Sequence, residues 1–118
     1  MILVIDDQRS MCWILSKVLS DAGFSVGTAE TAKEALSIAT NNRVSAAVID
    51  YRLPDKNGFD LFLELRKLKP KIQGVLITSY GSKKLEEEAL RLGFRAYFDK
   101  PFQNQALIAA LQAGLKKS

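Results

Sequence analysis

The chain has 118 residues, about one domain's worth, and its 47% apolar and 25% charged content argues against the disordered and membrane-spanning classes. Its formal charge of +4 comes from 17 Lys and Arg against 13 Asp and Glu, and the basic residues are dispersed, so no concentrated nucleic-acid footprint is expected. There is no histidine and Cys12 is alone, which removes His-based triads, the usual catalytic zinc sites and an internal disulfide, and leaves carboxylate, lysine and hydroxyl chemistry. No apolar run approaches the roughly 20 residues of a membrane span, and the chain passes straight from ILVI into acids, unlike a secretory leader. A cytoplasmic location with no membrane partner is expected.

In chain order, ILVI at 2 to 5 is a short apolar run of the kind that forms a buried parallel strand, and it ends on the adjacent pair Asp6 and Asp7. From 10 to 22 the apolar residues Met11, Ile14, Leu15, Val18, Leu19 and Ala22 make the stripe of an amphipathic helix, closed by Gly23. Cys12 and Trp13 fall off that stripe, so an exposed tryptophan near the acidic edge is expected. FSVGT at 24 to 28 alternates as a strand, and 31 to 41 forms a second helix with Ala32, Ala35, Leu36 and Ala39 inward.

The stretch 46 to 50, AAVID, is a third strand ending abruptly on Asp50 and running into LPDKNG, whose Pro54, Asn57 and Gly58 carry turn chemistry. Leu61, Phe62, Leu65 and Leu68 make a third helical stripe, ended by Pro70. The run from 72 to 77 is a fourth strand that ends on Thr78 and Ser79. Ser82 is placed to cap a fourth helix with Leu85, Ala89 and Leu92 inward, and Gly93 ends it. A fifth strand at 95 to 98, the loop DKPF, and a last helix from 104 to 115 complete the chain. Five-fold β-α alternation with short connections predicts one domain over 1 to 118: an α/β doubly wound parallel sheet with helices on both faces.

Open sheets of this kind hold their ligands at the carboxyl ends of the strands. The residues there are Asp6, Asp7, Asp50, Thr78 and Lys100. Three clustered carboxylates call for a cation among them. Two can hold a divalent metal that keeps several waters and a third can act as nucleophile, while the lysine and the hydroxyl hold the oxygens of a phosphoryl group.

VIDD, D-x-x-LP-x-x-x-G after the third strand, TS after the fourth and KPF after the fifth occur in order along the chain. Together they resemble the receiver domain of bacterial two-component response regulators, over essentially the whole sequence. The resemblance implies a flavodoxin-like five-stranded sheet of order 2-1-3-4-5 and a phosphoacceptor role. Asp50 would take a phosphoryl group from a histidine kinase or histidine phosphotransfer protein with Mg²⁺ as cofactor. Asp7, Asp50 and the Arg52 carbonyl would bind the ion directly and Asp6 through water. Lys100 and Thr78 would contact the phosphoryl oxygens, Pro101 would follow a cis peptide bond, and Tyr97 would be the aromatic that reports the switch. The output face would comprise the fourth helix, fifth strand and fifth helix, with a homodimer through it. Such a domain is a signalling phosphoprotein of a transcription or phosphorelay pathway and catalyses only its own phosphorylation and dephosphorylation. It is either a stand-alone receiver or one part of a larger regulator.

Two side chains bear on lifetime. Arg52 and Tyr80, two residues past Asp50 and Thr78, would flank the approach of a hydrolytic water in the family's geometry and offer no carboxylate or amide to orient it. Competing functions fit less well. A flavodoxin needs a hydroxyl- and glycine-rich loop after the first strand, where this chain has DDQ. A haloacid dehalogenase-type phosphatase wants two Asp separated by one residue, whereas Asp6 and Asp7 are adjacent. The serious alternative is a pseudo-receiver, a non-phosphorylated interaction module.

Overall fold

In the computed structural model, which describes residues 1–115, five strands and five helices alternate along the chain: β1 Ile2–Ile5, α1 Arg9–Asp21, β2 Val26–Ala29, α2 Ala32–Asn41, β3 Ala46–Asp50, α3 Gly58–Leu68, β4 Gln73–Thr78, α4 Lys83–Leu92, β5 Ala96–Asp99 and α5 Asn104–Leu115. The strands form one parallel sheet in the order β2-β1-β3-β4-β5. Parallel neighbours need a covered crossover, so the central strands β1, β3 and β4 are buried between helices and are rich in apolar residues, while the edge strands β2 and β5 are only partly buried. Ile2 to Ile5 and Ala46 to Ile49 are indeed at most 1% exposed.

Strand side chains alternate between faces, and this divides the core in two. Leu3, Ile5, Ala47, Ile49 and Leu76 pack against α2, α3 and α4 through Ala35, Ala39, Leu61, Phe62, Leu65 and Ala89. Ile2, Val4, Val48, Val75 and Ile77 pack against α1 and α5 through Leu15, Leu19, Leu107 and Leu111. Phe94, just ahead of β5, fills the first layer, its ring 4.2 Å from that of Phe62.

Local chemistry sets the helix ends. Thr31, Asn57 and Ser82 cap α2, α3 and α4, each side chain accepting from the backbone N–H three residues on. Gly93 stops α4 at φ +112°, a left-handed conformation that other residues adopt only with strain. Arg66 of α3 reaches across to donate to the Leu92 carbonyl at 2.9 Å, satisfying one of the orphan acceptors at the end of α4.

Several sequence expectations shift. The buried stripe of α1 is Cys12, Leu15 and Leu19, one step round from the expected one: Cys12 is buried and Ile14 is 43% exposed. The Cys12 thiol sits under β1 and donates to the Asp6 carbonyl, which offsets the burial of a polar atom that hydropathy alone places elsewhere. Trp13 is 68% exposed, as expected. Leu68, counted inward, is the last residue of α3 and is 44% exposed. β2 runs at 26 to 29, β4 at 73 to 78 and β5 at 96 to 99, each starting one or two residues later than the apolar pattern implies. The pairing of β2 with β1, β4 with β3 and β5 with β4 sets the boundaries, and Thr78 and Asp99 become register partners at the carboxyl edge. Among the described residues no helix is long and apolar enough to cross a membrane.

Candidate phosphoacceptor site

The parallel register brings the ends of β1, β3, β4 and β5 to one edge of the sheet. Asp6 is fully buried there, held by the Gln8 N–H at 2.9 Å and by the Lys100 ammonium at 2.7 Å. Asp50 ends β3, is 7% exposed, and has a carboxylate oxygen 3.6 Å from the same ammonium. Asp7 stands at the exposed rim. Oxygens of the three carboxylates all lie within 4.8 Å of one another. Burial, then the charge of Asp6, pushes the Asp50 carboxyl up to about 6, against the opposing pull of Lys100 and of the Arg52 backbone N–H.

One buried ammonium thus faces three carboxylates. An all-oxygen set with no thiolate or imidazole suits a hard divalent cation such as Mg²⁺. Above the carboxylates opens a cavity of about 310 Å³ lined by Asp7, Gln8, Asp50, Arg52, Tyr80 and Lys100 together with Ser79. Thr78 is buried at the end of β4, and its hydroxyl oxygen accepts from the Tyr80 N–H at 3.0 Å. The peptide bond between Lys100 and Pro101 is cis. A larger groove, about 1140 Å³, lies at the opposite edge among residues such as Met1, Arg43, Lys69 and Ile72; no carboxylate lines it.

The loop after Asp50 is held from several sides. Arg52 bridges to Asn57, and the Gly58 N–H donates to the Tyr51 carbonyl at 2.7 Å. A Cβ on Gly58 would sit 2.9 Å from the Asp50 carbonyl and 3.0 Å from Ile49, which is why the motif ends on glycine. Asp55 accepts from the Ala32 and Lys33 N–H groups at 2.9 Å each, so the loop is clamped to the start of α2 and the Asp55 carboxyl is held below its ordinary range. Sequence reasoning missed this clamp. Its partner lies on another element, and a turn-type Asp is its only local sign.

Arg52 and Tyr80 meet over the cavity, the guanidinium 4.4 Å from the ring centroid. Tyr97 lies on β5, facing α4, with its hydroxyl donating to Asp99 at 2.8 Å. Asp6, Asp7, Asp50, Thr78, Lys100, Arg52 and Tyr80 therefore converge, while Tyr97 stands outside the cavity on the far side of the turn that follows Thr78.

The fold and this edge define a doubly wound α/β domain with an acidic, lysine-bridged site. Comparison with known proteins gives the class: the family model of the response regulator receiver domain matches residues 2–112, and the chain belongs to that family. It is 32% identical over 99% of its length to the transcriptional regulatory protein CpxR of Klebsiella pneumoniae, covering 50% of that protein. Among solved structures it superposes on the receiver domain of NtrX from Brucella abortus with a TM-score of 0.91, at 28% identity and full coverage of both chains. It also superposes on a response regulator of Burkholderia pseudomallei that carries a phosphorylated aspartic acid, a calcium ion and citrate, with a TM-score of 0.87, 28% identity, and coverage of 98% of this chain and 68% of the other. The chain spans between 26% and 50% of the length of its first curated relatives, several of them transcriptional regulators.

Proposed function

We propose that this receiver domain, taken as a single unit over the whole chain, accepts a phosphoryl group on Asp50 from a histidine kinase or histidine phosphotransfer protein in the cytoplasm. The observation that carries the reading is the buried Asp50 carboxylate 3.6 Å from Lys100 and beside Asp6 and Asp7. An Asp50 oxygen attacks phosphorus as the bond to the donor's imidazole nitrogen breaks, and the imidazole keeps the electron pair and takes a proton. Lys100, already bridging Asp6 and Asp50, shifts towards the incoming phosphoryl oxygens, where its charge offsets theirs. The Thr78 hydroxyl donates to another. Asp7, Asp50 and the Arg52 carbonyl would hold Mg²⁺, with Asp6 acting through water, and the ion would neutralise the clustered carboxylates and the added phosphoryl charge.

Transfer from kinase and later hydrolysis are then the only reactions the domain catalyses. The signal would leave through Thr78 and Tyr97 to the face of α4, β5 and α5, which exposes Leu90 and offers a surface for homodimerisation or for another domain of a transcription regulator. The phosphorylated aspartic acid in the Burkholderia relative supports the phosphoacceptor reading over a pseudo-receiver. Incubation with acetyl phosphate and Mg²⁺, followed by intact mass, tests it. One added phosphoryl group, absent with EDTA, is expected; unchanged mass under both conditions favours the interaction module.

A further inference from the structure

Tyr97 and Asp99 point to the same face of β5, two residues apart, towards the turn that leads from Thr78 into α4. The Tyr97 hydroxyl donates to an Asp99 carboxylate oxygen at 2.8 Å. The backbone N–H of Ser82, the N-cap of α4, lies near the same phenol oxygen and pulls the phenol's pKa down, against the burial and the Asp99 contact that raise it. Gly81 lies directly beneath the pair: a Cβ there would overlap both the Tyr97 hydroxyl and the Asp99 carboxylate. Asp99 is the register partner of Thr78, and the Lys100 N–H donates to the Thr78 carbonyl at 2.8 Å, so the anchor stands beside the residue that would sense phosphate.

We infer that Asp99 is a positioning residue for the switch: its carboxylate holds the Tyr97 hydroxyl against Gly81 and Ser82, tying the outer end of β5 to the turn between Thr78 and α4. This rests on the proposed role of Tyr97 in signalling. Tyr97 cannot leave its place without breaking the bond to Asp99, and the start of α4 is otherwise held by the half-buried Leu85 and the Ser82 cap, Ala89 being the one fully buried residue of the helix. Asp99 thus sets how far the equilibrium of the ring favours this position, whatever the phosphorylation state of the site. Burial, with the bond to Asp99 and the charges of Asp99 and Glu86, raises the phenol to about 12, which agrees with a hydroxyl that keeps its proton to serve as donor.

The test is NMR of the full chain without phosphodonor. Nuclear Overhauser contacts between the Tyr97 ring, identified with Tyr97→Phe, and the protons of residue 81 are read in wild type, Asp99→Ala, Asp99→Asn and Gly81→Ala. The contacts should weaken severalfold in Asp99→Ala and persist in Asp99→Asn, whose amide oxygen still accepts. Gly81→Ala, acting from the other side, should displace the ring hydroxyl and bring Ser82 and Leu85 amide exchange to the same faster rate as Asp99→Ala. Ring contacts and amide exchange unchanged from wild type in Asp99→Ala overturn the inference. Phosphoryl uptake is measured separately by intact mass: if wild type takes none, the proposed function fails while the ring measurements still decide the role of Asp99.

Discussion

Replacing Asp50 with Asn should make the metal-free domain more stable. In the folded chain Asp50 is buried beside Asp6, and its carboxyl moves from an ordinary 3.8 up to about 6. At 1.36 kcal/mol per pH unit, holding that group ionised at neutral pH costs about 3 kcal/mol. Asn matches the neutral acid in shape and can still accept from the Arg52 N–H, while Lys100 keeps its 2.7 Å bond to Asp6. The gain should therefore approach that figure, about 10 °C in melting temperature for a domain of this size. The sign with pH follows from linkage. A carboxyl whose folded value lies above its unfolded one imposes its full penalty above about pH 6 and none below about 3.8. The gap between Asp50→Asn and wild type should be widest at pH 7 to 8 and close on acidification. Thermal and urea unfolding in EDTA at several pH values reads this directly. A variant no more stable than wild type at pH 7.5, or a gap that does not change with pH, would refute the electrostatic reading of the cluster.

Mg²⁺ should stabilise wild type by mass action, about 2.7 kcal/mol at a hundredfold excess over Kd, and do much less for Asp7→Ala; equal metal-induced shifts in melting temperature would remove Asp7 as a ligand. Thr78→Ala should accept phosphate but switch poorly, because the missing hydroxyl is the proposed link to Tyr97; amide shifts on phosphorylation matching wild type across residues 82 to 98 would show another route. The Arg52 and Tyr80 stack, 4.4 Å from cation to ring centroid over the cavity, should crowd a hydrolytic water and give a slow self-dephosphorylation. Arg52→Asn combined with Tyr80→Glu should shorten the phosphoryl lifetime by supplying a group that can orient the water; decay no faster than wild type would mean that these side chains do not set it.

The β-α alternation was legible because β1, β3, β4 and β5 run into polar residues and the helices carry apolar stripes, α4 with its Ser82 cap and Gly93 stop. The convergence of Asp6, Asp7, Asp50, Thr78 and Lys100 followed from that alternation, since parallel strands put their carboxyl ends on one edge. What stayed illegible depends on neighbours distant in sequence. Cys12 is buried with its thiol satisfied by the Asp6 carbonyl just past β1, and Ile14 is exposed, because α1 turns a different side to the sheet than its apolar count implies. The Asp55 clamp on α2 and the close approach of Gly81 to Tyr97 and Asp99 each join elements whose meeting no local pattern encodes.

Chemical localisation of the phosphoryl group tests the central claim most directly. The chain is incubated with acetyl phosphate and Mg²⁺, reduced with borohydride to convert any acyl phosphate to a stable alcohol, digested, and sequenced by tandem mass spectrometry. The expected result is a single modified position, Asp50, lost in EDTA and in Asp50→Asn. Modification at Asp6 or Asp7 instead, or a reduced peptide that persists in Asp50→Asn, would contradict Asp50 as the phosphoacceptor.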